Sequence, residues 1–379
     1  MPTNTAAWIG AKYAQLGVGP APYTPPGDNQ IVVRNHAVAI NPLDWIIQVA
    51  GPTAYRWLTY PTVIGSDVAG EVVEVGKKVT RFQVGDRVLG HAVGTDKDSN
   101  TAAEGAFQNY TIVLDRMASP IPDTLSYENA CVLPLTLSTA ACGLFQKDQL
   151  ALQHPSANAK RTGETVLVWG GSTSVGSNAI QLAVAAGYDV VTTASPRNFD
   201  YVTSLGASQV FDYNSPTVVQ DIIEALQGKT LAGALALGTG SAEACVDVVR
   251  ASTGKKFVSI ASTPVSFDGL ADENRAKFAL PRLLFKLVSA NVSLQFKTRP
   301  RGIGTKFIFG TSLKDNEVST AIYQDFLPSA LAEGRYVAAP EPTVVGYGLG
   351  DVQNALDIQR KGVSAKKVVV SLTPGDTDA

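Results

Sequence analysis

The chain has 379 residues, 45% of them hydrophobic and 17% charged, with a formal net charge of −2. That length points to two domains rather than one and leaves ample apolar material for their cores. The near-neutral balance gives no electrostatic case for nucleic acid or an anionic membrane, and there is neither a run of about 18 apolar residues nor an N-terminal signal pattern to suggest spanning or export. Three cysteines, Cys131, Cys142 and Cys245, are an odd number without metal-ligand spacing. They read as small core residues of a reducing, cytoplasmic compartment.

Residues 1–29 read as a lead-in, with Pro20, Pro22, Pro25, Pro26 and Gly27 ahead of the first clear strand at 31–40. That strand runs into Asn41-Pro42-Leu43-Asp44-Trp45, a turn-forming stretch. Residues 61–90 carry short apolar runs punctuated by Gly65, Gly70, Gly76, Gly85 and Gly90, the pattern of a small barrel or sandwich. Residues 94–105 are polar and loop-like, and 106–113 resume as a strand. From 126 to 145 the apolar spacing turns helical. A polar connection over 146–163 leads to alternating strands and helices from 165 to 262, which predicts a parallel, doubly wound sheet. Beyond it, 278–288 is an apolar patch with Arg282, Lys286, Lys297, Arg299 and Arg301 around it. It reads either as a pocket wall with a basic rim or as an amphipathic helix packed on the sheet. Residues 292–296 and 307–309 are strand-like, 316–334 helical, 344–371 short mixed elements, and 374–379 a loose tail.

The stretch 165–187 carries the first chemistry. An apolar strand at 166–169 meets Gly170-Gly171-Ser172-Thr173-Ser174-Val175-Gly176, and an apolar-periodic helix follows to Gly187. Strand, glycine turn and helix form the first half of a nucleotide-binding βαβ unit, in which the helix start favours a pyrophosphate. The turn departs from G-x-G-x-x-G, because Thr173 stands where the middle glycine is expected. A second strand, 190–194, ends in Ser195-Pro196-Arg197-Asn198. A carboxylate there would hold a ribose 2′-hydroxyl and repel a 2′-phosphate, whereas a hydroxyl, a guanidinium and an amide accept the phosphate. The expected cofactor is therefore NADP(H); the other reading of Arg197 is a solvated arginine after a Ser-Pro turn.

Several pieces then match one family. Asn41-Pro42-Leu43-Asp44, Gly65-Ser66-Asp67-Val68-Ala69-Gly70, Val84-Gly85-Asp86-Arg87-Val88, Glu104-Gly105-Ala106-Phe107 and the turn at 170–176 occur in that order. Together, over nearly the whole chain, they resemble the medium-chain dehydrogenase/reductases. Within that family the chain is similar to the zinc-free fungal trans-acting enoyl reductases, through residues 132–140 (VLPLTLSTA), the Gly-Gly-Ser-Thr turn and Ser195-Pro196-Arg197-Asn198-Phe199-Asp200. The resemblance implies an α/β chain. A GroES-like β-barrel domain would cover 1–140, completed by 306–379, and a Rossmann domain with a doubly wound parallel sheet would cover 141–305. The active site is expected in the cleft between them. It also implies NADPH-dependent, zinc-independent reduction of the α,β double bond of an enoyl chain in secondary metabolism. The substrate would be carrier-bound or a thioester, and a polyketide synthase carrier domain would be a candidate partner.

By the same resemblance, Thr139 would stand by the nicotinamide ribose or carboxamide. Asn41 and Asp44 would shape the pocket floor, with Trp45 and Ile46 beside them at the cofactor. Ile260-Ala261 and Val363-Ser364 would offer backbone contacts to the nicotinamide half, and Tyr213 would meet the adenosine phosphate end. Four of these have a plainer reading: Thr139 packed within its helix, Asn41 and Asp44 as an Asx turn, Tyr213 as a half-buried strand aromatic. Relatives commonly carry a lysine at the place of Ile46, which can donate neither a hydrogen bond nor a proton. Either water, Thr139, Tyr55 or Tyr60 takes that part, or the chemistry differs.

No metal is expected. A catalytic zinc needs about three Cys, His, Asp or Glu ligands. Zinc-dependent members of the family carry a cysteine near 41–45 and Gly-His-Glu where this chain has Gly65-Ser66-Asp67. Residues 90–104 lack the four cysteines of a structural site, and only His91 of the three histidines falls near the expected cleft. Conjugate reduction suits a metal-free site, since the protein need only orient the reacting carbons and stabilise the carbonyl oxygen. Two other readings stand beside it: a zinc-free quinone or enone reductase acting on free small molecules, and a scaffold of the same fold without hydride transfer.

Overall fold

The computed structural model describes residues 2–270 and 279–372. Phe278, at the head of the apolar patch, and the tail at 374–379 lie outside the described residues. The chain divides into two compact units, residues 1–135 with 314–379, and residues 136–313.

The first unit opens with β1 (Asn4–Ile9), β2 (Leu16–Ala21), β3 (Gln30–Ala39), α1 (Pro42–Ala54), β4 (Thr62–Val63), β5 (Asp67–Val75), β6 (Arg87–His91), β7 (Tyr110–Leu114), β8 (Ala118–Pro120) and α2 (Tyr127–Ala130). Through α3 (Pro134–Phe145) the chain enters the second unit. There it forms β9 (Glu164–Trp169), α4 (Ser174–Ala185), β10 (Asp189–Ala194), α5 (Phe199–Ser204), β11 (Gln209–Asp212), α6 (Val218–Ala225) and β12 (Thr230–Ala236). α7 (Ser241–Ala251), β13 (Thr253–Gly254), β14 (Phe257–Ile260), α8 (Ala279–Thr298) and β15 (Gly304–Phe307) follow. The return to the first unit adds α9 (Glu317–Ser319), α10 (Leu327–Ala332), β16 (Glu341–Tyr347), α11 (Val352–Lys361) and β17 (Lys366–Ser371).

The first unit is built of two sheets. One has the order β2-β1-β4; the other runs β16-β17-β3-β5-β6-β8, with β7 on β3. Every pairing is antiparallel except β16 with β17. Register here decides the polar interior. Asp67 pairs with Ala39 on one side and His91 on the other, so the start of β5 brings a carboxylate beside both. In β17 the period of two turns Lys366 outward and buries Lys367.

In the second unit the strands run β11-β10-β9-β12-β14-β15, all parallel, with β13 beside β12. Counted from β9 this is the order 3-2-1-4-5-6, so the winding reverses between β9 and β12. Right-handed crossovers then place α4, packed on β9 and β10, and α7, packed on β12 and β14, on opposite faces of the sheet. The core between helices and sheet is apolar on both faces: Leu167, Val191, Ala234 and Val258 are in register on one face with Val246 of α7, and Val166, Val168, Val190 and Leu235 are fully buried on the other. The doubly wound sheet expected from the alternation is thus present. All three cysteines are free and buried, and burial pushes the Cys142 thiol up to about 12.

Three local expectations need correction. The lead-in contains a hairpin, β1 with β2, whose strands carry mainly small residues, Gly and Pro and so give little periodic signal. Residues 41–45 are not a turn; they start α1. Asn41 is the N-cap in an extended conformation, Pro42 opens the helix, and the Asn41 N–H donates to Asp44 Oδ2 at 2.7 Å, one half of a capping box. Residues 292–296 are not a strand; they lie inside α8, which runs unbroken for 20 residues. No described helix is long and apolar enough to cross a membrane.

Candidate active site

The glycine turn lies at the carboxyl end of β9, beside the point where the winding reverses. Open α/β sheets bind ligands in the crevice outside the carboxyl ends of the strands at such a point, where successive connections leave for opposite faces. Gly170 takes φ +86°, a left-handed conformation that favours glycine. Its N–H donates to Thr193 Oγ1 at 2.9 Å, and the Gly171 N–H donates to the Thr193 carbonyl at 2.9 Å, so β10 fixes the turn from the side. A Cβ on Gly171 would sit 2.2 Å from Thr192 Oγ1, and one on Gly176 would sit 2.2 Å from the Gly170 carbonyl oxygen.

Position 173 is under a different constraint. Thr173 is the N-cap of α4: its Oγ1 accepts the Gly176 N–H at 3.0 Å and donates to the Gly170 carbonyl at 2.8 Å. The hydroxyl closes the turn that a middle glycine would leave open. The N–H groups of Ser174 and Val175, in the first turn of α4, have no intrahelical acceptor and sit at the positive end of the helix dipole. Behind the turn, Ser177 Oγ donates to the Thr173 carbonyl at 2.9 Å and meets Tyr201 Oη at 2.8 Å. The turn, its free donors and its two forced glycines fit a pyrophosphate.

Register brings the other nucleotide candidates to the same edge. Ala194 pairs with Asp212, so Ser195 and Tyr213 follow at matching places past the ends of β10 and β11. Ser195-Pro196-Arg197-Asn198 forms a short 3₁₀ turn in which the buried Asn198 donates to Ser195 Oγ at 3.2 Å and Arg197 is exposed. Tyr213 is 48% exposed. On the other side of the reversal, Ile260 ends β14 and the Ala261 N–H donates to the Ala236 carbonyl at 3.0 Å. Thr139 is half-buried on α3, and a Cβ on Gly310 would lie 2.7 Å from its Oγ1.

The first unit holds a second polar centre, entirely buried. Asn41 Nδ2 donates to Asp67 Oδ2 at 2.8 Å, and the Leu135 N–H donates to Asp67 Oδ1 at 2.6 Å. The Lys367 ammonium lies 3.0 Å from Asp67 Oδ2 and also donates to Asn41 Oδ1. A buried ion pair of this kind needs its spare lone pairs and protons satisfied, and Asn41 does this for both partners at once. Asp44 is fully buried, and its Oδ1 has no hydrogen-bond partner. Burial, with the Asp67 charge added, pushes the Asp44 carboxyl up to about 7 against the opposing pull of the Asn41 N–H and Lys367. Burial holds His91 down at about 4. Tyr55, on the C-terminal side of α1, is pushed up to about 12 by burial and by Asp44.

The structure therefore gathers Gly170–Gly176, Ser195–Asn198, Tyr213, Ile260 and Ala261 at one edge of the second unit's sheet, and joins Asn41 with Asp44 in the first unit's interior. Trp45 is buried and Ile46 half-buried next to them on α1. Val363 and Ser364 are exposed in the link between α11 and β17. Among the described residues no group of three or more His, Cys, Asp and Glu is placed to hold a metal. The two stretches named for zinc ligands, 41–45 and 65–67, do meet, but around an ammonium. Lys367 escaped the sequence reading because its partners, Asn41 and Asp67, are about 300 residues away along the chain. Only the alternation of Lys366 and Lys367 ahead of an apolar strand hinted that one of the two points inward.

Residues 27–123 match the alcohol dehydrogenase GroES-like domain family. The chain is 56% identical to the dehydrogenase pigH of Monascus ruber, across 98% of this chain and 100% of that one. It is 38% identical to the trans-enoyl reductase himH of Aspergillus japonicus, across 98% of each. Among solved structures, the CurK enoyl reductase matches with a TM-score of 0.70 at 19% identity, covering 97% of this chain and 99% of that one; this likeness speaks for the fold alone. Full-length identity of this order accounts for the GroES-like first unit and the reversed parallel sheet together, and the chain belongs to the medium-chain dehydrogenase/reductase family of oxidoreductases, on its enoyl-reductase-like side.

Proposed function

We propose that the chain is an NADPH-dependent, zinc-independent reductase of the α,β double bond of an enoyl thioester in secondary metabolism. The observation that carries the reading is the alignment of the glycine turn, Ser195–Asn198 and Tyr213 past the ends of three adjacent parallel strands, with Ser195 and Arg197 rather than a carboxylate following β10. The enoyl substrate is supported by the relatives named as trans-enoyl reductases.

NADPH, when bound, supplies the hydride. The N–H groups of Ser174 and Val175 hold the pyrophosphate, and Ser195 with Arg197 holds the 2′-phosphate. Thr139 orients the reacting end. Asn41 and Asp44 have no exposed surface, so they act by fixing the start of α1 rather than by touching substrate. With Ile46 unable to donate, and with the Tyr55 hydroxyl pushed up to about 12 and so a weak acid, the proton for the α-carbon comes from water.

The test is a fluorescence titration of the purified protein with NADPH and with NADH, followed by NADPH oxidation assays on enoyl pantetheine thioesters. The expected result is tighter NADPH binding by about tenfold or more, abolished in Arg197→Ala, and turnover of the thioesters. Equal affinity for the two cofactors removes the 2′-phosphate assignment. Turnover of free quinones but not thioesters selects the quinone reductase reading. Binding of neither cofactor overturns the reductase and leaves a scaffold.

A further inference from the structure

Helix α8 is apolar on two faces. Leu283 and Leu294 are buried, Leu294 within the core of its own unit. At 100° per residue, Pro281, Phe285, Val288, Val292 and Phe296 fall within an arc of about 80° on roughly the opposite side. All five are exposed: Phe285 is 74% and Phe296 75% accessible, Val288 62% and Val292 47%. The helix is therefore not the simple amphipathic segment, greasy side inward, that one reading of its sequence expects. Continuous outward stripes of this kind mark interaction sites rather than ordinary surface.

Charge selects the occupant. Arg282, Lys286 and Lys297 share one flank of the stripe, while the other flank carries Leu284, Asn291 and Gln295. Lys297 is tied to Asp247 at 2.6 Å, which leaves Arg282 and Lys286 as the cations nearest Phe285. Pro281, Arg282, Phe285 and Lys286 line a shallow concavity at the start of the helix. Residues 279–298 contain no Asp or Glu, so a second copy of α8 offers no counter-charge. A helix lying in a membrane surface presents a strongly charged polar face rich in Lys and Arg, whereas here Lys297 is tied to Asp247 and the flank opposite Arg282 and Lys286 carries Leu284, Asn291 and Gln295.

We propose that this face of α8 docks an acidic, helical protein surface with an apolar ridge, the ridge lying along Phe285–Phe296 and the acids meeting Arg282 and Lys286. The inference rests on the reductase reading for what the partner brings, a thioester-bound enoyl chain. An acyl-carrier domain is the partner class with that cargo and that chemistry, and it serves as the probe.

The experiment measures binding of the full chain to a phosphopantetheinylated acyl-carrier domain from a polyketide synthase, by biolayer interferometry at low and high salt. Two double variants accompany the wild type: Arg282→Glu with Lys286→Glu, and Phe285→Ser with Phe296→Ser. All four positions are exposed, and NADPH affinity together with thermal midpoint reports whether each variant is folded. The expected result is wild-type binding that weakens with salt, a loss of about tenfold or more in each variant, and unchanged NADPH affinity. Absence of carrier binding, or variants that bind as the wild type does, overturns the proposal. So does variant-sensitive binding to phosphatidylserine–phosphatidylcholine vesicles in place of the carrier domain, or a wild-type dimer in sedimentation that the variants lose. Docking is read without turnover. Failure here with NADPH binding intact removes only the docking surface, whereas failure of the cofactor titration removes the reductase and leaves the docking result standing.

Discussion

Asp44 and His91 carry opposite pH signatures within one buried cluster. The folded state raises Asp44 to about 7, so this group contributes stability below the ordinary carboxylate range and that contribution is lost as pH rises toward 7. The folded state lowers His91 to about 4, so its contribution is present above the ordinary histidine value and is lost as pH falls from about 6.5 toward 4. In the wild type the two slopes oppose each other over much of the same window. Asp44→Asn keeps an acceptor for the Asn41 N–H and removes one slope. Its urea-unfolding stability is expected to rise from pH 4 to 6.5, while the wild-type profile stays flatter. Parallel profiles for the two proteins contradict the assignment of Asp44. None of this could be read in the sequence, where Asp44 is one acid among 33 Asp and Glu residues. Its perturbation comes from α1 being capped inside the first unit's core.

At the scale of the element, the glycine turn shows which of its positions obey geometry and which obey capping. Gly176→Ala drives a methyl into the Gly170 carbonyl, a backbone contact that cannot move without opening the turn. We expect a loss of about 1–3 kcal/mol in stability and a fall in NADPH affinity of more than tenfold. Thr173 tests the other constraint. Thr173→Val removes the N-cap hydroxyl and is expected to cost about 1 kcal/mol, while Thr173→Gly, which restores the common pattern, costs a few tenths. Chemical denaturation and cofactor titration read both series; a Gly176→Ala protein as tight for NADPH as the wild type refutes the geometry. The turn was legible because its signal is local. The same locality misled at Asn41-Pro42, where a capping box and an Asx turn use the same residue types, and at 292–296, where β-branched and aromatic residues continue a helix.

At the scale of the whole molecule, metal dependence is the property to measure. By the family resemblance, zinc-dependent members carry a cysteine near 41–45, a stretch without cysteine here, and Gly-His-Glu where this chain has Gly65-Ser66-Asp67. Asp67 already spends its carboxylate on Asn41, Leu135 and Lys367. Dialysis against EDTA is therefore expected to leave both the thermal midpoint and thioester reduction unchanged, with zinc well below one equivalent by mass spectrometry. Stoichiometric zinc whose removal lowers the midpoint contradicts this.

From the sequence alone came the fold class, the parallel sheet, the glycine turn between strand and helix, and the resemblance that carried the family. Each rests on short-range pattern: strand and helix periods, glycine spacing, motif order. The tertiary structure alone decided which lysine enters the core, why Asp44 is perturbed, and that α8 turns an apolar stripe outward. Those depend on register and on which faces meet across hundreds of residues. A period of 3.6 says that a helix has an apolar face; it does not say how many faces it has to cover, or what covers them.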